Sequence, residues 1–333
     1  MKYAQIKGYN ASRVALGVSG FGTLQTQTES EEILQCYIDR GGNIIDTANV
    51  YMNWDPRAPE RSSGEKALGR LFKMNPGLRD KLIVCTKGAH FESTDPANTP
   101  RVNEGCITYD VNDSLKNLGI DRIDLYWLHR DNPTYPVHLI MDALFEAQDA
   151  GKIAHYGASN WSASRISEAN AYARQTGREG FFGSQIQHSY IHPLDIDAHA
   201  SRYFDEALEG KIYLDEQLAL FCFTSLARGY MTKILNDIQL GDNLIRFFDC
   251  PSNRERAARA ETVAKQVGGG HNAEQVGLAY LHALPYNTVT LVSYTSVDQI
   301  KNSMDCDIDL TQEQIRYLSE DKISPIRKQQ PLH

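Results

Sequence analysis

Residues 122–129 read Arg122-Ile123-Asp124-Leu125-Tyr126-Trp127-Leu128-His129, a short apolar run that ends in a titratable group. Its length and its β-branched and aromatic content make it a buried strand rather than a helix. Two earlier runs end the same way: Asn43-Ile44-Ile45 leads into Asp46, and Leu82-Ile83-Val84-Cys85-Thr86 leads into Lys87. The three end groups are 41 and 42 residues apart, about one strand-helix unit each. If such units pair in parallel, groups at the carboxyl ends of neighbouring strands emerge on one rim and converge.

The same kind of run recurs at residues 14–17, 43–46, 81–86, 122–129, 155–159, 182–188, 219–225 and 289–293. Between these runs, helical spacing appears at 30–40, 64–72, 104–118, 137–150, 162–174, 205–218 and 272–284, with several stops at Gly41, Gly119, Gly151 or Gly177. Strands alternating with helices imply parallel pairing through right-handed crossovers. Eight such units in 333 residues predict an α/β fold, a single (β/α)8 TIM barrel over residues 1–333 with extended βα loops. A doubly wound dinucleotide fold would need GxGxxG after the first strand. The nearest stretch, Val18-Ser19-Gly20-Phe21-Gly22-Thr23, lacks the third glycine. The polar stretches 52–63, 91–103 and 191–203 exceed ordinary βα loop length and are expected to shape a binding mouth, while 236–254 is an excursion without an assigned element.

Charge narrows the function. Against 34 Lys and Arg stand 42 Asp and Glu, a net charge of −8 with no basic block, which argues against nucleic acid or an anionic membrane as partner. Residues 1–8 lack the apolar core of a signal peptide, and no run reaches the ~18 residues of a spanning helix, so a cytoplasmic, small-molecule protein is expected. Cys36, Cys85, Cys106, Cys222, Cys250 and Cys306 lie far apart, without metal-ligand spacing, and read as reduced, mostly buried small hydrophobes, with no metal site.

Tyr51, five residues beyond Asp46, can fold back over the same rim. A phenol donates a proton near neutrality only with help. A lysine ammonium beside it favours the phenolate, an aspartate holds that lysine charged and oriented, and a histidine can hydrogen-bond the reacting oxygen. Any one of Asp46, Lys87, His129 or Tyr51 alone would be explained as a cap, a solvated strand end or packing. Their periodic placement on neighbouring strands points to an acid-base site.

At these residues the chain resembles the aldo-keto reductase superfamily, over essentially its whole length. The motifs are Asp46-Thr47-Ala48-Asn49-Val50-Tyr51, Cys85-Thr86-Lys87-Gly88, Ser114-Leu115 continuing through Leu118-Gly119-Ile120-Asp121 to His129, and Tyr156-Gly157-Ala158-Ser159-Asn160-Trp161. The resemblance implies a barrel that uses a nicotinamide cofactor without a Rossmann domain. It also implies a catalytic tetrad of Asp46, Tyr51, Lys87 and His129, with Tyr51 the general acid in reversible hydride transfer to an aldehyde or ketone.

By the same resemblance Gly22 and Thr23 contact the cofactor, and Ser159, Asn160 and Gln185 bind the nicotinamide carboxamide. His188 takes the place of the stacking aromatic and would make cofactor affinity pH-dependent. Ser225, Leu226, Arg228, Gly229 and Lys233 wrap the pyrophosphate, and Ser293, Thr295, Gln299 and Asn302 grip the adenosine end. Many relatives place Lys or Arg where this chain has Ser293, Thr295 and Gln299, so NADP(H) is favoured by the family while NAD(H) stays open. Trp54, His90, Phe91, Arg130 and Tyr230 are expected to line the mouth for a sugar-like or aryl carbonyl or alcohol. Two rival readings remain: a cofactor-binding regulatory subunit like the potassium channel beta subunits, and a sugar epimerase or other redox-neutral enzyme that retains its cofactor.

Overall fold

The computed structural model describes residues 1–195, 201–304 and 307–320. The chain opens with a hairpin of β1 (Tyr3–Ile6) and β2 (Tyr9–Ser12), followed by β3 (Val14–Gly17), β4 (Ile44–Asp46), β5 (Ile83–Gly88) and β6 (Ile123–Leu128). The remaining strands are β7 (Ile153–Ser159), β8 (Gly183–Gln187), β9 (Ala219–Phe223) and β10 (Asn287–Ser293). Strands β3 to β10 pair in parallel in chain order, and β10 pairs with β3 to close the barrel. The expected (β/α)8 barrel is therefore the observed one, and each expected strand lies on a barrel strand.

The helices that return the chain are α1 (Gln27–Asp39), α2 (Ser63–Met74), α3 (Glu104–Leu118), α4 (Val137–Asp149), α5 (Ala163–Gln175) and α6 (Glu206–Asp215). They start and stop where the local chemistry directs. Thr26 and Glu29 form a reciprocal capping box at the head of α1, and Gly119, at φ 64°, closes α3 in the left-handed region that costs glycine nothing.

The region after β9 is more elaborate. It holds α7 (Tyr230–Leu235), α8 (Asp242–Phe248) and α9 (Pro251–Val267) before α10 (Ala273–Ala283), and α11 (Val297–Ser303) and α12 (Gln312–Leu318) follow β10. The unassigned excursion 236–254 thus contains α8 and the start of α9. The buried face of α9 joins Asn253 and Arg256 to Ala257, Ala260, Val263 and Ala264, a mix of polar and small residues that leaves no conspicuous apolar stripe.

Side-chain parity divides the barrel. Ala15, Ile44, Ile83, Cys85, Leu125, Trp127, Phe221 and Leu291 pack together in one core inside the ring, and the hairpin adds Ala4, Ile6 and Ala11 at its floor. The alternate residues Leu16, Ile45, Val84, Tyr126, Leu220 and Val292 pack outward with the helices. The hairpin escapes a sequence reading because its strands are four residues each and half exposed. Asp124 joins floor and barrel by accepting from Tyr9 Oη at 3.2 Å, Arg79 Nη2 at 2.7 Å and the Val84 N–H at 2.8 Å.

Cys85 and Cys222 are buried as expected, whereas Cys36, Cys106 and Cys250 are partly exposed. Cys306 and residues 196–200 of the 191–203 stretch lie outside the described residues. Among the described residues no helix is long and apolar enough to cross a membrane.

Candidate active site

The inward parity of each strand continues past the apolar core. Two residues beyond Ala15, Ile44, Cys85, Trp127, Phe221 and Leu291 come Gly17, Asp46, Lys87, His129, Phe223 and Ser293. Successive side chains of a strand alternate faces, so these six belong to the interior at its carboxyl end. A cavity of about 900 Å3 opens there, with Gly17, Asp46, Tyr51, His129, Phe223 and Ser293 among the residues that line it.

Lys87 is the hub, buried beneath Tyr51. Its Nζ donates to Asp46 Oδ2 at 2.5 Å, to the Thr47 carbonyl at 2.8 Å and to Tyr51 Oη at 2.9 Å. Burial opposes the ammonium, but the charges of Asp46 and Tyr51 and their hydrogen bonds outweigh it, and its pKa is raised above the ordinary lysine value. The second oxygen of Asp46 accepts from Gln185 Nε2 at 2.8 Å. A lysine that spends a proton on the tyrosine oxygen leaves the phenol proton free to point into the cavity.

The His129 ring meets the Tyr51 ring edge-on with centroids 5.6 Å apart. Burial, then the positive charge of His90, Arg130 and Lys87, holds its pKa well below the ordinary histidine value. The imidazole is therefore neutral, able to donate or accept one hydrogen bond at a substrate oxygen.

The loop that carries Tyr51 is fixed from behind. The Asn49 N–H donates to the Lys87 carbonyl at 2.9 Å and its Nδ2 to Asp113 at 2.8 Å, while Thr86 Oγ1 and Asn117 Nδ2 donate to the buried Glu65 at 2.6 and 3.0 Å.

The other expected residues separate clearly. Ser159, Asn160, Gln185, Ser225, Leu226, Arg228, Gly229, Lys233, Ser293, Thr295, Gln299, Asn302 and Arg130 line the cavity. Asn160, at φ 62°, donates from Nδ2 to the His129 carbonyl at 3.2 Å and to Ser159 Oγ at 3.0 Å.

Gly22 and Thr23 are not among the lining residues. Their turn folds outward onto α2, where Thr23 Oγ1 lies 2.6 Å from Ser63 Oγ and a Cβ at Gly22 would stand 2.9 Å from Ala67 Cβ. His188 also departs from expectation. It packs against Tyr203 and Phe204 at 5.3 and 5.2 Å, away from the lining, and burial with the nearby Arg256 charge pushes its pKa down to about 3. A neutral, enclosed imidazole cannot titrate near pH 6.5.

Phe223 is the aromatic side chain that lines the cavity on β9. Its parity with Phe221 was the signal that could have found it. Tyr230 is turned inward too, fully buried with its hydroxyl on Asp249 at 2.9 Å. Trp54 is exposed beside Tyr51, and His90 stands behind the site with its ring 4.6 Å from that of His129.

The donor set along the cavity fits an elongated dinucleotide. Positive φ at Thr224, Ala227, Arg228 and Gly229 curls the 224–229 backbone into the kind of turn whose N–H groups converge on an anion. At Gly17 a Cβ would stand 2.5 Å from Ser293 Oγ on the paired strand β10, so the glycine leaves room for that side chain at the cavity wall. At the far end Asn272, Glu274, Gln299 and Ser303 supply polar groups.

The sequence profile of the aldo/keto reductase family matches residues 13–322. The chain is 26% identical over 324 residues to an aryl-alcohol dehydrogenase [NADP(+)] of Phanerodontia chrysosporium, covering 90% of this chain and 77% of that one. It is 32% identical over 241 residues to aldo-keto reductase YhdN of Bacillus subtilis, covering 70% and 64% of the two chains. It is also 25% identical over 275 residues to a putative voltage-gated potassium channel subunit beta of Schizosaccharomyces pombe, covering 79% and 74%. With a closed barrel and a profile that spans nearly all of it, the chain belongs to the aldo/keto reductase family of NAD(P)-dependent oxidoreductases.

Proposed function

We propose that the chain reduces an aldehyde or ketone, and oxidises the corresponding alcohol, with Tyr51 as the general acid and base. The observation that carries this reading is the three-way bond of Lys87 Nζ to Asp46, Thr47 and Tyr51. The bound dinucleotide would supply and accept the hydride at its nicotinamide ring. Tyr51 gives its proton to the carbonyl oxygen as negative charge grows there, and the Lys87 ammonium stabilises the phenolate left behind. Asp46 keeps Lys87 charged, and the neutral His129 orients the carbonyl by a hydrogen bond. Ser159, Asn160 and Gln185 are the proposed carboxamide partners, Phe223 the apolar face beside the ring, and residues 225–233 the pyrophosphate wrap.

NADP(H) as cofactor is supported by the fungal relative, whose name carries NADP(+). The absence of Lys or Arg at Ser293, Thr295 and Gln299 leaves NADH able to compete. The same relative makes aryl aldehydes the first substrates to try. The decisive experiment titrates wild type and Tyr51→Phe with NADPH and NADH by fluorescence, then assays both with benzaldehydes and short sugars. Binding is expected to persist in the variant while reduction falls by at least ~100-fold, the lower range for a general acid. Undiminished reduction in Tyr51→Phe would remove the assigned acid, and binding without turnover of any carbonyl by wild type would favour a regulatory subunit.

A further inference from the structure

Arg130 is a cation in the cavity wall that meets no carboxylate among the described residues. It follows His129 at the rim of β6 and lines the cavity beside Tyr51. Its Nη1 donates to the His129 carbonyl at 2.9 Å, and its Nε is enclosed with no partner. Among the described residues no carboxylate pairs with it. The neighbouring Asp131 is taken by Arg165 at 3.0 Å, and Asp110 and Glu92 bind Arg101 at 2.8 and 3.6 Å. Burial lowers its pKa to about 10, so it stays charged at neutral pH. A partly buried guanidinium in a cavity wall is ordinarily matched by an anion.

The cofactor's phosphates are poorly placed to be that anion. In the ring order, β6 lies four strands from β10, diametrically across an eight-strand barrel from the 293–303 segment. The 225–233 wrap follows β9, next to β10. Arg130 instead stands on the side of Tyr51 and His129, where the rest of a substrate must lie once its carbonyl reaches the phenol. Phe91, with its ring 6.0 Å from the guanidinium, adds an apolar flank. On a chain of net charge −8, a local cation of this kind is what an anionic substrate requires.

We propose that Arg130 binds an acidic group of the substrate, so that the preferred carbonyl compound carries a carboxylate or phosphate beyond its reacting carbon. This rests on the carbonyl-reductase reading and narrows its substrate class.

Matched pairs test it. Catalytic efficiency, kcat/KM, is measured for para-formylbenzoate against para-formylbenzamide, and for glyceraldehyde phosphate against glyceraldehyde, with wild type, Arg130→Gln and Arg130→Lys. The first pair reports a carboxylate and the second a phosphate. In wild type the acidic member of at least one pair is expected to lead by roughly 10- to 100-fold, the range of a hydrogen bond to a charged group. In Arg130→Gln that ratio is expected to collapse to within about threefold of unity, with part of it kept in Arg130→Lys.

No acid preference in either pair would overturn the proposal while leaving carbonyl reduction intact. So would an Arg130→Gln variant that loses acid and neutral members equally, because Arg130 would then act on the reacting oxygen or on the fold. Failure of wild type to reduce any of the four compounds despite NADPH binding would remove the carbonyl-reductase reading itself, and this proposal with it. A measurement free of variants uses benzoate and benzamide as inhibitors of wild-type reduction. Benzoate is expected to compete with the aldehyde at least about tenfold more tightly, and equal inhibition overturns a carboxylate site.

Discussion

Lys87 shows how much of the candidate chemistry rests on one buried ion pair. Its ammonium has 1% side-chain exposure and Asp46 has 5%, so neither charge is solvated and each depends on the other. Taking one partner from such a pair typically costs ~3–5 kcal/mol because the remaining charge is stranded. Asp46→Asn is therefore expected to lower unfolding stability by about that amount in urea titrations and to slow single-turnover reduction. An unchanged unfolding midpoint would show that the pair is not ionic. The tetrad is legible in the sequence because each member ends an apolar strand or follows one closely. His188 misleads for the opposite reason. It also lies just past a strand, but residues 203 and 204 fold over it, and that contact joins positions the local sequence does not connect.

At the scale of elements, the carboxyl-end site depends on how tightly the barrel interior fills beneath it. Trp127 is fully buried and packs on Phe182 and Phe221 with centroids 4.8 and 4.9 Å apart. Gly157 on β7 makes room for it: a Cβ there would stand 2.4 Å from the Trp127 ring and 2.9 Å from the Gly183 carbonyl. Gly157→Ala is expected to destabilise the fold by ~1–3 kcal/mol through overpacking, seen as a lower melting temperature. Wild-type stability in the variant would mean that the ring yields.

Strands are readable element by element because buried parallel strands are short, apolar and bounded by turns. The β1–β2 hairpin, α8 and α9 are not. The first is polar on its outer side, and α9 buries alanines against α10 and α12, a helix face that only its neighbours define.

At the scale of the whole molecule, pH acts through histidines enclosed by distant parts of the chain. Burial, with Arg256 for His188 and Arg13 for His282, pushes both pKa values down to about 3. Above about pH 6.5 folded and unfolded chains both carry these rings neutral, and the groups are silent. Below it the unfolded chain takes up protons that the folded chain refuses, so each ring lowers stability by up to ~1.4 kcal/mol per pH unit, down to about pH 3. Wild type is accordingly expected to lose stability relative to His188→Phe as pH falls from 6.5 to 5, measured by urea unfolding. The C2–H resonance of His188 should not move between pH 8 and 5. A titration near pH 6.5 would contradict the enclosed ring, and with it the view that cofactor affinity is insensitive to this histidine.

The sequence by itself determined the architecture and which strand-end groups meet on one rim. Strand periodicity places one residue in two on the barrel interior, and the spacing of Asp46, Lys87 and His129 carries them to one rim. Only the tertiary structure decided which neighbours face the cavity. Phe223 rather than His188 lines it, Gly22 and Thr23 turn onto α2, and among the described residues no carboxylate meets Arg130 there. Strand parity is a local property of the backbone, whereas exposure to a cavity and the absence of a counter-charge depend on every segment that closes over the site.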